Sequence, residues 1–221
     1  MKKSILAVAG LAAVAGVVGP VAGAFATEVT ETPTVTDTIT VTIESACSLA
    51  SGDTTASDNT ITRSLTKTLE NGTSTEGSTG AITVKCNDNG GWSLKAVGAG
   101  EYTDHVDYLK GSSKISGSDN YNYIPSSATF VDSNSKAVSA WGFKLATSDG
   151  TNAPISGGYA SYSAIPTDST TVVATGNVST AAGITITPTY KISASSTQAA
   201  DTYTGKVVYT LVHPNSVSAT E

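Results

Sequence analysis

Residues Ile82 to Gly98 read ITVKCNDNGGWSLKAVG, and this stretch decides the class of fold. Ile82, Val84 and Cys86 alternate with Thr83 and Lys85, the period of two expected of a strand with one buried face. Asn87-Asp88-Asn89-Gly90-Gly91 then gathers the residue types that tolerate a tight turn and positive φ. Beyond the turn Trp92, Leu94 and Ala96 alternate with Ser93 and Lys95. The pattern predicts a β-hairpin with Cys86 and Trp92 on its apolar face.

The same period recurs on both sides. Upstream, Ile39, Val41, Ile43 and Cys47 share one face, which predicts a strand beginning at Thr38. A loop follows from Gly52 to Asn59. Ile61, Leu65 and Leu69 are spaced by four in a Thr-rich context; helix and strand both accommodate that spacing, and composition favours strand. Downstream, Trp141, Phe143 and Leu145 share a face. Val172-Val173 is a short apolar run, and Ile184, Ile186, Pro188, Tyr190 and Ile192 alternate again. Pro188 has no N–H to give a ladder, which predicts an edge position or a bulge there. The last strand runs from Tyr203 to Val212. Between Gly98 and about Ser135 the alternation disappears, and the segment reads as a long loop with one short strand at Ala128 to Val131. A second loop spans Ser148 to Asp168. Many short strands with Gly-rich turns and no helical period predict an all-β chain: an antiparallel β-sandwich with long loop insertions.

The first 26 residues differ in kind. Lys2 and Lys3 precede an apolar run that ends in Ala24-Phe25-Ala26, the pattern of an export signal and its cleavage site. Gly19-Pro20 interrupts the run, which disfavours a retained membrane helix. Cleavage after Ala26 predicts a secreted or cell-surface protein of about 195 residues with no stable membrane span, enough for one β domain. Removing the two lysines makes it two units more negative than the −6 of the whole chain. An acidic surface repels phosphate backbones, so nucleic acid is not expected as a partner. Residues 27–37 (TEVTETPTVTD) read as a flexible acidic segment, 38–213 as the sandwich domain and 214–221 as a polar tail. No sorting motif or lipid-anchor cysteine is visible. Both cysteines, Cys47 and Cys86, lie in the exported part and end apolar faces. An oxidising environment predicts a disulfide between them, closing a loop of about 40 residues worth up to ~4 kcal/mol.

Four segments carry a family resemblance: ITVTIESACSL at Ile39 to Leu49, ITVKCNDNGGWSLKAVG at Ile82 to Gly98, WGFKLA at Trp141 to Ala146, and ADTYTGKVVYTLV at Ala200 to Val212. Together they resemble the immunoglobulin-like sandwich of spore coat protein U-type and fimbrial, pilin-like secreted proteins. Those families place one cysteine by the first strand and the other at the end of the next core strand. Asp201 departs from the pattern, standing where the family commonly has glycine. The resemblance implies a surface-assembled structural protein in which an N-terminal segment completes a neighbour's sheet. Residues 27–37 fit that role poorly: Val29 and Val35 are in phase, but Glu31 and Pro33 interrupt them.

Catalytic patterns are thin. No G-x-S-x-G elbow occurs, and His105 and His213 are the two histidines. Asp104-His105-Val106-Asp107 could suggest metal ligands, but such a run on a polar loop reads better as a solvated stretch. Asp88-Asn89-Gly90 lacks the later glutamate of a calcium loop. No enzyme activity, cofactor or metal is expected. The leading expectation is a structural or adhesive surface subunit that assembles with itself or contacts other surface proteins. The alternative is a monomeric module that binds glycans or proteins. In either case the Tyr-, Asn-, Ser- and Gly-rich loop from Gly98 to Ser135 is the candidate recognition surface, with Tyr108, Tyr121 and Tyr123 as its residues. Trp92 and Trp141, at alternating strand positions, are expected in the core.

Overall fold

The computed structural model describes residues 46–51, 54–55, 60–102, 104–179 and 182–214. The first 26 residues, read as an export signal, the acidic segment 27–37, the strand expected from Thr38 toward Cys47 as far as Ser45, and nearly all of the polar tail lie outside them. Among the described residues there are twelve strands and no helix. All ladders between the strands are antiparallel.

Two sheets pack face to face. The first contains β1 (Cys47–Ser51), β2 (Thr54–Thr55), β4 (Ser74–Ser78), β5 (Ile82–Cys86), β9 (Ala140–Thr147) and β11 (Ile184–Ser193). The second contains β3 (Thr60–Leu69), β6 (Trp92–Gly98), β7 (Leu109–Lys114), β8 (Tyr121–Ile124), β10 (Val172–Gly176) and β12 (Asp201–Val212). Each sheet has a hub. β11 pairs β9 on one side and β5 and then β4 on the other, while β12 pairs β3 on one side and β6 and β7 on the other.

The apolar faces read from the alternation meet in one core. Leu49, Ile82, Val84, Trp141, Phe143, Ile186 and Ile192 of the first sheet pack with Ile61, Leu65, Leu94, Val207 and Leu211 of the second. Side chains of this size each stabilise the fold by about 1.5–3 kcal/mol when fully buried. Two tyrosines lie among them. Tyr190 of β11 and Tyr209 of β12 share a hydrogen bond of 3.0 Å across the sandwich. Burial pushes the Tyr190 phenol up to about 12 and Tyr209 well above its ordinary value. Gly205 of β12 makes room for Trp141: a Cβ there would lie 3.1 Å from Trp141 Cη2 and would also overlap Leu109. On the flank, Arg63 of β3 reaches across to donate to the Ala81 carbonyl at 2.8 Å.

The opening stretch folds differently from its prediction. β5 and β6 are not a hairpin; β5 pairs β1 and β11, whereas β6 pairs β10 and β12. The Asn87–Gly91 turn carries the chain from one sheet to the other. Both strands turn their apolar residues to the same core from opposite sides, so the alternation is satisfied either way. Gly91 takes φ +77° in the turn, and its N–H donates to the Asp88 carbonyl at 2.9 Å. The Asp88 side chain is fully buried; one carboxylate oxygen accepts from Gly90 N–H at 2.8 Å and the other meets His213 Nδ1 at 3.0 Å. The end of β12 is thereby tied to the crossing.

The disulfide joins Cys47 and Cys86, as expected, but within one sheet: the two residues are direct partners in the β1–β5 ladder. Pro188 is not at an edge. β5 pairs β11 only as far as Ile186, and β4 takes over at Thr189, so the proline falls at a break in the neighbouring strand. The Leu145, Phe143 and Trp141 N–H groups of β9 point away from β11. By the antiparallel pattern a donor at 188 would therefore face that break, where a missing N–H costs no ladder bond. The long segment from Gly98 to Ser135 is also more ordered than a loop. It contains the β7–β8 hairpin, while the strand expected at Ala128 to Val131 is reduced to an isolated bridge between Val131 and Ala137.

Candidate functional site

The β7–β8 hairpin is the frame of the site. Leu109 and Ile124 stand opposite each other, both fully buried, and fix its inner face. The hairpin joins the second sheet where Tyr203 and Thr204 of β12 pair Gly111 and Lys110 of β7. Asp201 at the start of β12 is the clamp. Its carboxylate accepts from Ser113 N–H at 2.9 Å, from its neighbour Thr202 N–H at 2.7 Å, from the Ser112 hydroxyl and from Ser113 Oγ at 3.3 Å. Burial pushes the Asp201 carboxyl up, but these hydrogen bonds outweigh it and leave its pKa below the ordinary value. On β8, Gln198 donates to the Tyr123 carbonyl at 3.2 Å and to the Tyr203 hydroxyl at 2.7 Å.

The approach to the hairpin, at Gly100 to Tyr102 and Asp104 to Tyr108, is folded into turns. His105 N–H donates to the Tyr102 carbonyl at 3.2 Å, and Tyr108 N–H to the His105 carbonyl at 3.0 Å. Two steps of three residues bring Tyr102, His105 and Tyr108 together. The segment is pinned from below, because the Trp141 indole N–H donates to the Asp107 carbonyl at 2.6 Å.

An aromatic cluster results. Tyr108 stacks on His105 at 4.2 Å and 10° on one side and on Tyr123 at 5.3 Å and 21° on another. Tyr102 touches all three, at 5.8 Å from Tyr108, 5.0 Å from Tyr123 and 6.1 Å from His105. Tyr102 and Tyr108 are half-buried, whereas His105 and Tyr123 are exposed, Tyr123 by 40%. Partial burial, then the Asp107 charge and the neighbouring tyrosines, raises the Tyr108 phenol. The three tyrosines expected to form the recognition surface are thus divided. Tyr108 and Tyr123 are in the cluster; Tyr121 stands beside it with Lys110 Nζ 4.4 Å above its ring and Lys114 Nζ at 5.9 Å.

Sequence reasoning missed Tyr102 and His105 as members of this cluster. The spacing of three from Tyr102 to His105 to Tyr108 was the available signal. The His105 ring is part of the stack. Trp92 and Trp141 are buried, as their strand positions predict. Glu101 forms an ion pair of 2.5 Å with Lys206 at the border of the cluster, and that lysine holds its carboxyl below the ordinary range.

Two cavities open here. One, of about 290 Å³, lies over the outer face of β7 and β12 between Tyr121 and the Glu101–Lys206 pair, with the Ser112, Thr202 and Thr204 side chains in its lining. The other, of about 380 Å³, is lined by Tyr102, His105, Asp104, Asp119 and Asn120. Glu101, Lys110 and Tyr121 line both. A larger cavity of about 720 Å³ lies elsewhere, beside Trp92, Asn177 and His213. Its aromatic wall is already engaged, since the Trp92 indole N–H donates to the Asn177 carbonyl at 3.0 Å. No protein-family model, curated protein or solved structure matches this chain.

Proposed function

We propose that this chain is an exported bacterial surface protein that works by contact rather than catalysis, as a structural or adhesive subunit. The observation that carries the reading is the cluster of Tyr102, His105, Tyr108 and Tyr123. The sandwich has an apolar core that takes both tryptophans, Phe143, Tyr190, Tyr203 and Tyr209, yet these four rings are gathered on one outer surface. A pinned loop and a clamped hairpin hold them there. Rigid rings with polar tips give broad contact at small entropic cost, which is what an adhesive face requires. The leader-like first 26 residues and the disulfide suit life outside the cytoplasm.

The test is a pair of substitutions, Tyr108→Ser with Tyr123→Ser, in the full chain. Labelled protein is incubated with whole bacterial cells and with purified cell-envelope material, and the bound fraction is measured. Binding should fall several-fold while the melting temperature moves by no more than about 2–4 °C, the effect of about 1 kcal/mol in a domain of this size. Unchanged binding by the well-folded variant would remove the aromatic face from the function.

A further inference from the structure

Beside the cluster, the two adjoining cavities form one groove, and we infer that it binds a neutral oligosaccharide. The inference rests on the contact function proposed above and names the chemistry of what is contacted. The groove runs from Ser112, Thr202 and Thr204 past Tyr121, Lys110 and Glu101 to Tyr102, His105 and Asn120. Its two parts, about 290 and 380 Å³, are each near the lower end of the range of small-molecule sites. A chain of small rigid units that bridges them at Tyr121 therefore fits better than one bulky ligand.

Three features point to a sugar. Tyr102 and Tyr121 both line the second part, Tyr121 with Lys110 Nζ resting 4.4 Å from its ring centre, and a pyranose that displaces this solvent-accessible lysine offers the ring a face of polarised C–H bonds, attracted by its negative π-surface. The rest of the lining mixes hydroxyl, amide, carboxylate and ammonium groups, so donors and acceptors alternate as they do around a sugar's rim of hydroxyls. The main chain beneath, moreover, is already committed. β12 is paired on both sides, to β3 and to β6 and β7, so an extended peptide has no backbone ladder to join there. Recognition must run through side chains.

The charges indicate a neutral ligand. Glu101, Asp104 and Asp119 of the lining stand against its Lys110 and Lys206 and against Lys114, which is outside the lining but paired with Asp119, while Glu101 is paired with Lys206. The formal charge of the groove is therefore balanced. An anionic glycan would find no surplus of cations, and a cationic one no surplus of carboxylates.

The experiment uses the full chain and five probes: cellotetraose, xylotetraose, mannotetraose, N-acetylated chitotetraose and, as the charged comparison, tetragalacturonate. Saturation-transfer NMR and shift titration follow binding up to ~5 mM, covering the millimolar affinities of shallow sites. At least one neutral tetrasaccharide should bind, with saturation passing to its ring C–H protons. Tyr121→Ala should weaken that binding about tenfold or more, and Tyr121→Phe, which keeps the ring, should stay within about threefold of the parent. Amide spectra of both variants report whether the fold is intact. Binding by no neutral probe, stronger binding of tetragalacturonate than of any neutral probe, or equal binding by a folded Tyr121→Ala protein each overturns the inference. Its failure is separable from that of the contact function. If no tetrasaccharide binds but the Tyr108 and Tyr123 substitutions still lower binding to cells, the aromatic face stands and the glycan falls.

Discussion

Replacing Asp201 tests the clamp that holds the β7–β8 hairpin against β12. Asp201→Asn keeps the shape of the side chain but removes its charge and turns an amide NH₂ toward groups that are themselves donors. Asp201 is 8% exposed, and its carboxylate accepts from two main-chain N–H groups and from the hydroxyls of Ser112 and Ser113. Hydrogen bonds to a charged group are worth about 1.5–3 kcal/mol each, but they are not additive, and Ser112 and Ser113 are exposed enough for water to take over. A net loss of about 2–3 kcal/mol follows, which in a domain of this size lowers the melting temperature by about 4–12 °C. The pH dependence has a definite sign. The folded-state pKa lies below the unfolded value of about 3.9, so the stabilisation is complete above that pH and is lost as pH falls through the folded value. Thermal melts followed by circular dichroism at neutral pH and in steps down to about pH 2 should show the gap between parent and variant closing at the acid end. A variant that melts with the parent at neutral pH refutes the clamp, and a gap unchanged by acid refutes the charge as its cause.

Two further outcomes follow from the core and the disulfide. Burial raises Tyr190 to about 12 and Tyr209 further, so both phenols stay neutral in the folded protein above pH 10, and stability should fall as pH rises from about 10 to 12 because the unfolded chain releases protons first. Ultraviolet titration should show two tyrosines ionising only with unfolding; their ionisation in the folded protein near pH 10 would place the pair in contact with solvent. Replacing Cys47 and Cys86 together by Ala opens a link across 39 residues and should cost about 3–4 kcal/mol in chemical denaturation, whereas a loss below about 1 kcal/mol would show that the β1–β5 ladder holds its register unaided.

What could be read from the sequence is the set of inward faces. Ile61, Leu65 and Leu69, ambiguous by spacing, lie on the buried face of one strand, with Arg63 and Lys67 between them. Trp141, Phe143 and Leu145 likewise fall where their period placed them. What could not be read is partnership. Alternation states that a strand has a core side and is silent on which sheet it joins, so the Asn87–Gly91 crossing and a hairpin have the same signature. The β7–β8 hairpin was hidden for a different reason. Leu109 and Ile124 are its only buried large side chains, and the Gly111, Ser112 and Ser113 that follow Leu109 in β7 carry nothing apolar to mark a face. The candidate site was legible only as composition, in the wealth of Tyr and Asn. The union of Tyr102, His105, Tyr108 and Tyr123 depends on tertiary turns that composition does not encode.

The pairing of β3 with β12 has a consequence for how the molecule comes into being. Thr60 to Leu69 pairs with Asp201 to Thr210, so a strand made early waits for one made nearly last. The hairpin β7–β8, the strand β6 and the tie between Asp88 and His213 wait for the same final segment. Contacts this distant in sequence must overcome the entropy of large loops before they contribute anything, which slows folding to the millisecond-to-second range typical of such topologies. A chain still being synthesised cannot close its second sheet. For a chain exported as proposed above, that delay would be an advantage: the polypeptide would stay unfolded during passage, and the last strand to emerge would complete the sandwich on the far side.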